Sequence, residues 1–281
     1  MGVLRRSIFV AFLVLTPFFC TQNLNAQNLS VAPLAPRNTS LDQSVISKMQ
    51  SGFEVRLSVI DPALALSALH AFESVDPFNL SIAEARNLGE AVGGDMLMIV
   101  DTSVQPRTTL SSPTTYEAFA SVHVIGARSG ILLGWKLFSV IGDNQADAIQ
   151  KLIDSMPSAS AWIGSVAVQM NLLEASFNES KKKRVLEDFS DSAVKAPAPY
   201  RRLSPNYTDQ ARLYGREGTV EIQIDLDADG EIKDTRILRW IGFGLEESVT
   251  EAIQKMNWRP AYRGGSPIPS RFVVRYNFKR Q

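Results

Sequence analysis

From Gly218 onward the side chains alternate: Val220, Ile222, Ile224 and Leu226 fall on one face of an extended chain, and Thr219, Glu221, Gln223 and Asp225 on the other. A period of two with one apolar face marks a half-buried strand, and a slip of one residue would turn the whole apolar set to water. Ala228-Asp229-Gly230 then supplies a tight turn, and a second strand passes through Ile232, Thr235 and Ile237. Gly242 and Gly244 end that strand. Leu245, Val249, Ala252, Ile253 and Met256 recur at helical spacing, with Trp258 as the anchor of the helix exit. A last alternating run sets Phe272, Val274, Tyr276 and Phe278 against Arg271, Val273, Arg275 and Asn277. With a helix at about 207–214 in front, the order predicts a β-β-α-β unit whose sheet is covered on one face by one helix.

The region before it reads as mixed α/β, with helices flanking a sheet. Phe53 to Ile60 is a strand, and Asp61 opens a helical run through Leu64, Leu66, Leu69 and Phe72. Ser81 with Glu84 three residues on forms a capping box ahead of Ala85, Leu88 and Val92. Gly93 and Gly94 turn that helix into a buried strand at Met96 to Val100. Strands at about 116–125 and 131–140 are joined through Arg128-Ser129-Gly130 as a hairpin. A helix from Asn144 carries Ile149, Leu152, Ile153 and Met156 on one face, and a second helix is expected after Pro157, with Trp162, Val166 and Leu173.

At the N-terminus, Arg5 and Arg6 precede a short apolar stretch ending at Cys20, which reads as a secretory signal with cleavage after Ala26; an uncleaved anchor is the alternative. The expected organisation is a signal at 1–26, a linker at 27–44, a domain at 45–176, a second linker at 177–199 ending in Ala-Pro-Ala-Pro, and the C-terminal unit at 200–281. The one cysteine, Cys20, lies inside the signal, so disulfides and thiolate metal sites are not expected in an exported chain. The formal charge of +0 becomes −2 once Arg5 and Arg6 are removed, which gives no electrostatic reason for a nucleic-acid partner.

The segments EGTVEIQIDLDADGEIKDTRIL, GLEESVTEAIQKMNWRPAYRGGSPIP and RFVVRYNF together resemble the C-terminal domain of the TonB family, over about 207–278. Glu217-Gly218, Asp229-Gly230 and Trp258-Arg259-Pro260 carry the match; Tyr207-Thr208 departs from the more usual Tyr-Pro. The resemblance implies a binding module without catalysis or cofactor, which pairs an extended peptide from an outer-membrane transporter or other envelope protein with its sheet edge. That places the partner-binding residues at Arg271, Val273, Val274, Arg275, Tyr276 and Asn277 of the closing strand and at Ser204, Pro205 and Asn206 upstream. Pairing of that edge with another copy is the competing use. Upstream, AEARNLGEAVGGDMLMIV, YEAFASVHVIGARSGILLGWKLFSV and NQADAIQKL are similar to periplasmic α/β domains of CsgG and TolB N-terminal type, which implies protein assembly or binding.

Other candidates reduce to structural readings. Asp225, Asp227, Asp229 and Gly230 imitate the opening of a calcium loop, but Arg236 stands where a bidentate Glu is needed. His70 and His123 have no spacing for shared metal ligation. Two whole-chain functions stay open: an energy transducer anchored in the inner membrane and engaging motor proteins there, or a soluble periplasmic scaffold. A proline-bearing linker of about 20 residues reaches at most about 70 Å, which is short for the first role.

Overall fold

The computed structural model describes residues 28–53, 57–72, 76–109, 112–182 and 194–279. The expected signal or anchor at 1–26 lies outside them, as do residues 183–193 of the expected second linker. The fold is α+β. Its N-terminal part runs β1 (Leu29–Leu34), α1 (Ser40–Ser51), β2 (Leu57–Val59), α2 (Pro62–His70), α3 (Ile82–Val92), β3 (Met96–Thr109), β4 (Ser112–Gly126), β5 (Leu132–Gly142) and α4 (Gln145–Lys182). The strands form one sheet in the order β2-β1-β3-β4-β5, parallel across β2, β1 and β3 and antiparallel from β3 to β5. The capping box read from Ser81 and Glu84 is present, with Gly93 left-handed at the other end of α3.

Three expectations are corrected. Within the expected linker at 27–44, the described residues 28–44 are not one, because β1 sits between β2 and β3 with Val31, Ala32 and Leu34 fully buried. The two prolines at 33 and 36 disguise this strand, although Pro33 pairs in register with Met98. Pro157 does not divide two helices; α4 runs through it. Proline lacks the N–H that would bond back along the helix, at a cost of about 3 kcal/mol. Burial of Leu152, Met156, Ala159 and Ile163 on both sides of it against the sheet offsets that cost, and Pro157 itself faces solvent. The linker at 177–199 is also only partly one: α4 continues to Lys182, and β6 (Val194–Lys195) and β7 (Ala198–Pro199) pair with strands of the C-terminal unit.

That unit continues with α5 (Asp209–Leu213), β8 (Gly218–Leu226), β9 (Ile232–Arg239), α6 (Leu245–Gln254), β10 (Trp258–Arg259), β11 (Ala261–Arg263), β12 (Ser266–Ile268) and β13 (Ser270–Phe278). Its main sheet has the order β13-β8-β9, all antiparallel. The apolar face expected of β8 is fully buried, with Val220, Ile222, Ile224 and Leu226 packed in one core with Leu245, Val249 and Ile253 of α6. Gly230 turns the β8–β9 hairpin at φ +85°, where a side chain would strike the Trp258 carbonyl.

The two parts meet across a buried seam set by the alternation in β3 and β4. Met96, Met98, Val100, Ala118, Ala120, Val122 and Val124 share a core with α1 and α4. The opposite parity carries Asp101, Glu117, Phe119, Ser121 and His123, all buried. The C-terminal unit docks on that polar face. Arg216 pairs with the Asp101 carboxylate, which also meets Arg37 at 3.2 Å. Tyr214 donates to Glu117, which in addition holds Arg107. Burial alone would raise the Glu117 pKa, but these hydrogen bonds outweigh it and hold the carboxyl below its ordinary range. His123 Nε2 donates a hydrogen bond to the Ile241 carbonyl at 3.2 Å. The Asn79 side chain donates to the carbonyls of Thr219 and Trp240 and accepts from the Thr219 N–H. Trp240 is 1% exposed and buried among Leu34, Leu80, Leu88 and Ile99 of the N-terminal part. Gly242, at φ +86°, lies flat against the Trp135 ring, where no Cβ fits.

Trp240→Ala is expected to remove about 3–5 kcal/mol in a single cooperative denaturant transition. Two separated transitions, with only the N-terminal one displaced, would contradict a shared seam. Two buried groups there also set a pH signature. Burial drives His123 down to about 4, so the unfolded chain protonates first, and stability present above about 6.5 is lost as pH falls, by about 3 kcal/mol. Burial lifts Glu246, which accepts the N–H groups of Ile241 and Gly242, to about 7, so its contribution is complete below about 4.5 and lost as pH rises through 7. The slopes oppose between these limits. Relative to the parent, His123→Gln should therefore tilt stability downward with rising pH and Glu246→Gln upward, as read by urea titrations from pH 4.5 to 6.5; tilts of the opposite sign would refute the assignment.

Candidate functional site

Of the two outer strands of the C-terminal sheet, β9 is covered at its C-terminal end. Arg239 forms a bridge with Ser81, its guanidinium reaches the Asn79 carbonyl at 2.6 Å and Glu84 at 3.0 Å, and Trp240 N–H points to Leu80. On the other side, β13 pairs only with β8 among the described strands.

Which backbone groups of β13 face outward follows from Thr219. Both its N–H and its C=O are engaged by Asn79, on the β9 side. In an antiparallel sheet a central strand sends successive residues alternately to its two neighbours. Val220, Ile222 and Ile224 therefore bond to β13, and the unbroken register assigns those bonds to Tyr276, Val274 and Phe272. Arg271, Val273, Arg275 and Asn277 are left with N–H and C=O aimed away from the sheet. Their side chains stand on the face opposite α6, where Val273 is 50% exposed. Arg271 is fastened to Asp225 by two 2.7 Å bonds that raise its pKa, and Arg275 to Glu221 at 2.8 Å.

Along the C-terminal half of β13 runs a groove of about 950 Å³, lined by Arg202, Ser204, Pro205, Asn206, Tyr207, Arg212, Arg275, Tyr276, Asn277, Phe278 and Lys279. Its second wall, the 202–207 segment, is pinned at several points. Ser248 Oγ donates to the Asn206 carbonyl at 2.7 Å, Tyr276 OH to the Leu203 carbonyl at 3.4 Å, and Arg212 to the Tyr207 carbonyl at 3.2 Å. Thr208 caps α5 by accepting from the Ala211 N–H and donates to the Phe243 carbonyl. Tyr207 OH donates to the Arg216 carbonyl at 2.7 Å, which ties the groove wall to the residue that crosses the seam.

Of the residues read from sequence, Ser204, Pro205, Asn206, Arg275, Tyr276 and Asn277 are brought together around this groove, whereas Arg271, Val273 and Val274 lie further along β13 and do not line it. Val274 also differs in backbone direction, since its N–H points to β8. Arg202, Tyr207, Arg212, Phe278 and Lys279 complete the lining and were not foreseen. Basic residues on both flanks of the unit, Arg201-Arg202 and Lys279-Arg280, were the available signal. Among the described residues no group of three or more His, Cys, Asp or Glu could hold a metal, and no helix is long and apolar enough to cross a membrane.

Residues 204–279 match the family model for the C-terminal region of Gram-negative bacterial TonB proteins, as the resemblance implied. Among solved structures, the TonB C-terminal domain of Pseudomonas aeruginosa matches at 25% identity and a TM-score of 0.28, covering 35% of this chain and 97% of that one. A hypothetical protein of Chlamydia trachomatis matches at 13% identity and a TM-score of 0.34, over 50% of this chain and 99% of that one. A lipoprotein of Neisseria meningitidis matches at 13% and 0.32, over 50% and 98%. No curated protein matches the chain.

The two parities of β13 give a stability test. Val274→Pro removes a ladder bond to β8 and should destabilise the fold markedly, whereas Val273→Pro removes only an outward donor and should cost far less. Thermal unfolding of both variants checks this; an equal loss would overturn the assignment of outward groups.

Proposed function

We propose that this chain is an exported cell-envelope protein whose C-terminal unit captures an extended segment of an envelope protein as a fourth strand on β13. An outer-membrane transporter is the partner class that the family suggests. The observation that carries the reading is the open β13 edge, with the outward backbone groups of Arg271, Val273, Arg275 and Asn277, running beside a preformed groove. Main-chain bonds to such an edge supply affinity, and the side chains alternating beside them supply preference. No step of this activity requires a cofactor or a catalytic group.

The seam favours a scaffold over a travelling head. A transducer that spans the envelope needs its binding unit free on a long spacer. Here Trp240, Asn79, Arg216 and His123 fix the unit to the N-terminal sheet, and the 194–199 stretch is paired rather than free. The rigid composite suits a periplasmic protein that holds a partner's segment against its N-terminal domain. Energy transduction through inner-membrane motor proteins instead requires residues 1–26 as a retained anchor. Intact mass and fractionation from the native envelope separate the two: a soluble form beginning at Gln27 is expected, and an intact Met1 in the inner membrane would favour transduction.

For strand capture, a photo-cross-linking residue at position 273 should give an adduct with an envelope protein that maps to one extended segment. Arg275→Pro, which removes an outward donor, should abolish it. An adduct that survives Arg275→Pro undiminished would rule out pairing at this edge.

A further inference from the structure

We infer that β5 is the surface through which two copies of this chain join, its outer side pairing antiparallel with β5 of a second copy about a two-fold axis. Strand capture at β13 is not involved. β5, an 11-residue strand, ends the N-terminal sheet, and among the described strands it pairs only with β4. Its outward groups follow from the alternation in β4. Ala127 N–H reaches the Asp95 carbonyl on the β3 side, and Gly126 N–H the Ile131 carbonyl on the β5 side. The register of β4 with β3 runs unbroken from Gly126 to Thr115, so the odd-numbered residues of β4 bond to β3 and the even-numbered ones to β5. Ala118, Ala120 and Val122 therefore bond to Val140, Phe138 and Lys136. Leu137, Ser139 and Ile141 are left with N–H and C=O aimed away from the sheet.

Edge strands are ordinarily blunted by shortness, by proline or by a charge set along the edge. β2, at the opposite end of the sheet, is 3 residues long. β5 has no such protection: it contains no proline, and its one charged side chain, Lys136, turns its ammonium onto the rings of Phe138 and Trp162, 5.2 and 6.0 Å away. Ile141 on the same strand is 61% exposed. Above the edge, the flank of α4 that starts at Trp162, whose ring lies close to Gly134, continues at helical spacing through Gln169 to the exposed Leu173. α4 carries no charged residue from Ser155 to Leu173. Such a flank meets its own copy without like-charge repulsion, and depletion of charge marks the core of protein interfaces. A lipid surface would call for lysines and arginines beside the apolar residues, which this stretch lacks. A two-fold axis at Ser139 sets Ile141 of one copy opposite Leu137 of the other and lays the two α4 flanks side by side. The strand is about 36 Å long and the sheet and helix layers together are about 20 Å deep, which gives roughly 700 Å² per copy, close to the roughly 800 Å² per partner of a stable complex.

The test is sedimentation equilibrium of the full chain over a range of concentrations, with the fold of each variant checked by circular dichroism. The parent should sediment as a dimer in equilibrium with monomer. Ile141→Lys, which brings a charge to an exposed edge position and leaves the core alone, should raise the dimer dissociation constant by about tenfold or more. Ser139→Pro, which removes an outward donor from each copy at the axis, should do the same. Arg275→Pro on β13 should leave the dimer intact. A parent that stays monomeric at all concentrations would overturn the inference, as would a dimer that both β5 variants leave unchanged. Loss of the dimer in Arg275→Pro alone would place the contact on β13 and overturn it equally.

Discussion

The architecture depends on the compensation of two carboxylates, Asp101 and Glu117, that β3 and β4 bury on one face of the N-terminal sheet. A buried charge without a partner costs several kcal/mol, and removing one partner of such a pair is strongly destabilising, by about 3–5 kcal/mol. The partners come from the other part of the chain: Arg216 for Asp101 and Tyr214 for Glu117, with Arg37 and Arg107 completing the set from the N-terminal side. The Arg216 guanidinium is itself stacked 4.8 Å from the centre of the Phe243 ring. Phe243 is held in the left-handed region at φ +59°, a conformation non-glycine residues adopt only at a cost, between Trp135 and Tyr214. The C-terminal unit is thus the counter-charge and the cover of the first sheet.

That docking decides where a partner can bind. Asn79 and Ser81 close the C-terminal end of the β9 side, occupying the groups at Thr219 and Arg239, whereas no such cover lies on β13 among the described strands. Tyr207 links the groove wall to Arg216, and Asn206 is held by Ser248 of α6. One wall of the groove is therefore organised by the same contacts that fix the unit in place. A strand arriving at β13 meets a surface already ordered, which lowers the entropy lost on binding.

Much of this was legible because it rests on local periodicity. The alternation at 219–226 and 271–278, the helical spacing of α6 and the Ser81–Glu84 box each state their structure within a few residues. What was not legible is long-range. β1 is short and carries a proline, so its place in the sheet depends on partners far along the chain. The helix through Pro157 follows from packing on both sides, which outweighs a local penalty. The seam left a faint trace, in that both parities of β4 lack solvent-exposed character from Ala118 to Ile125, with Ser121 and His123 among the apolar residues. Such a strand is covered on both faces, but nothing nearby says by what. The groove was half read, because edge-strand physics points to β13, whereas Arg202, Arg212 and Lys279 join it only through the path of the 202–212 segment.

The most direct measurement of strand capture is residue-resolved amide exchange of the full chain with and without a saturating extended peptide. On this account the N–H groups of Val273, Arg275 and Asn277 exchange readily in the free protein and become protected in the complex, while those of Val274 and Tyr276 are already protected in both. Protection that appears at neither Val273 nor Arg275, or that falls on the β9 side instead, would contradict it.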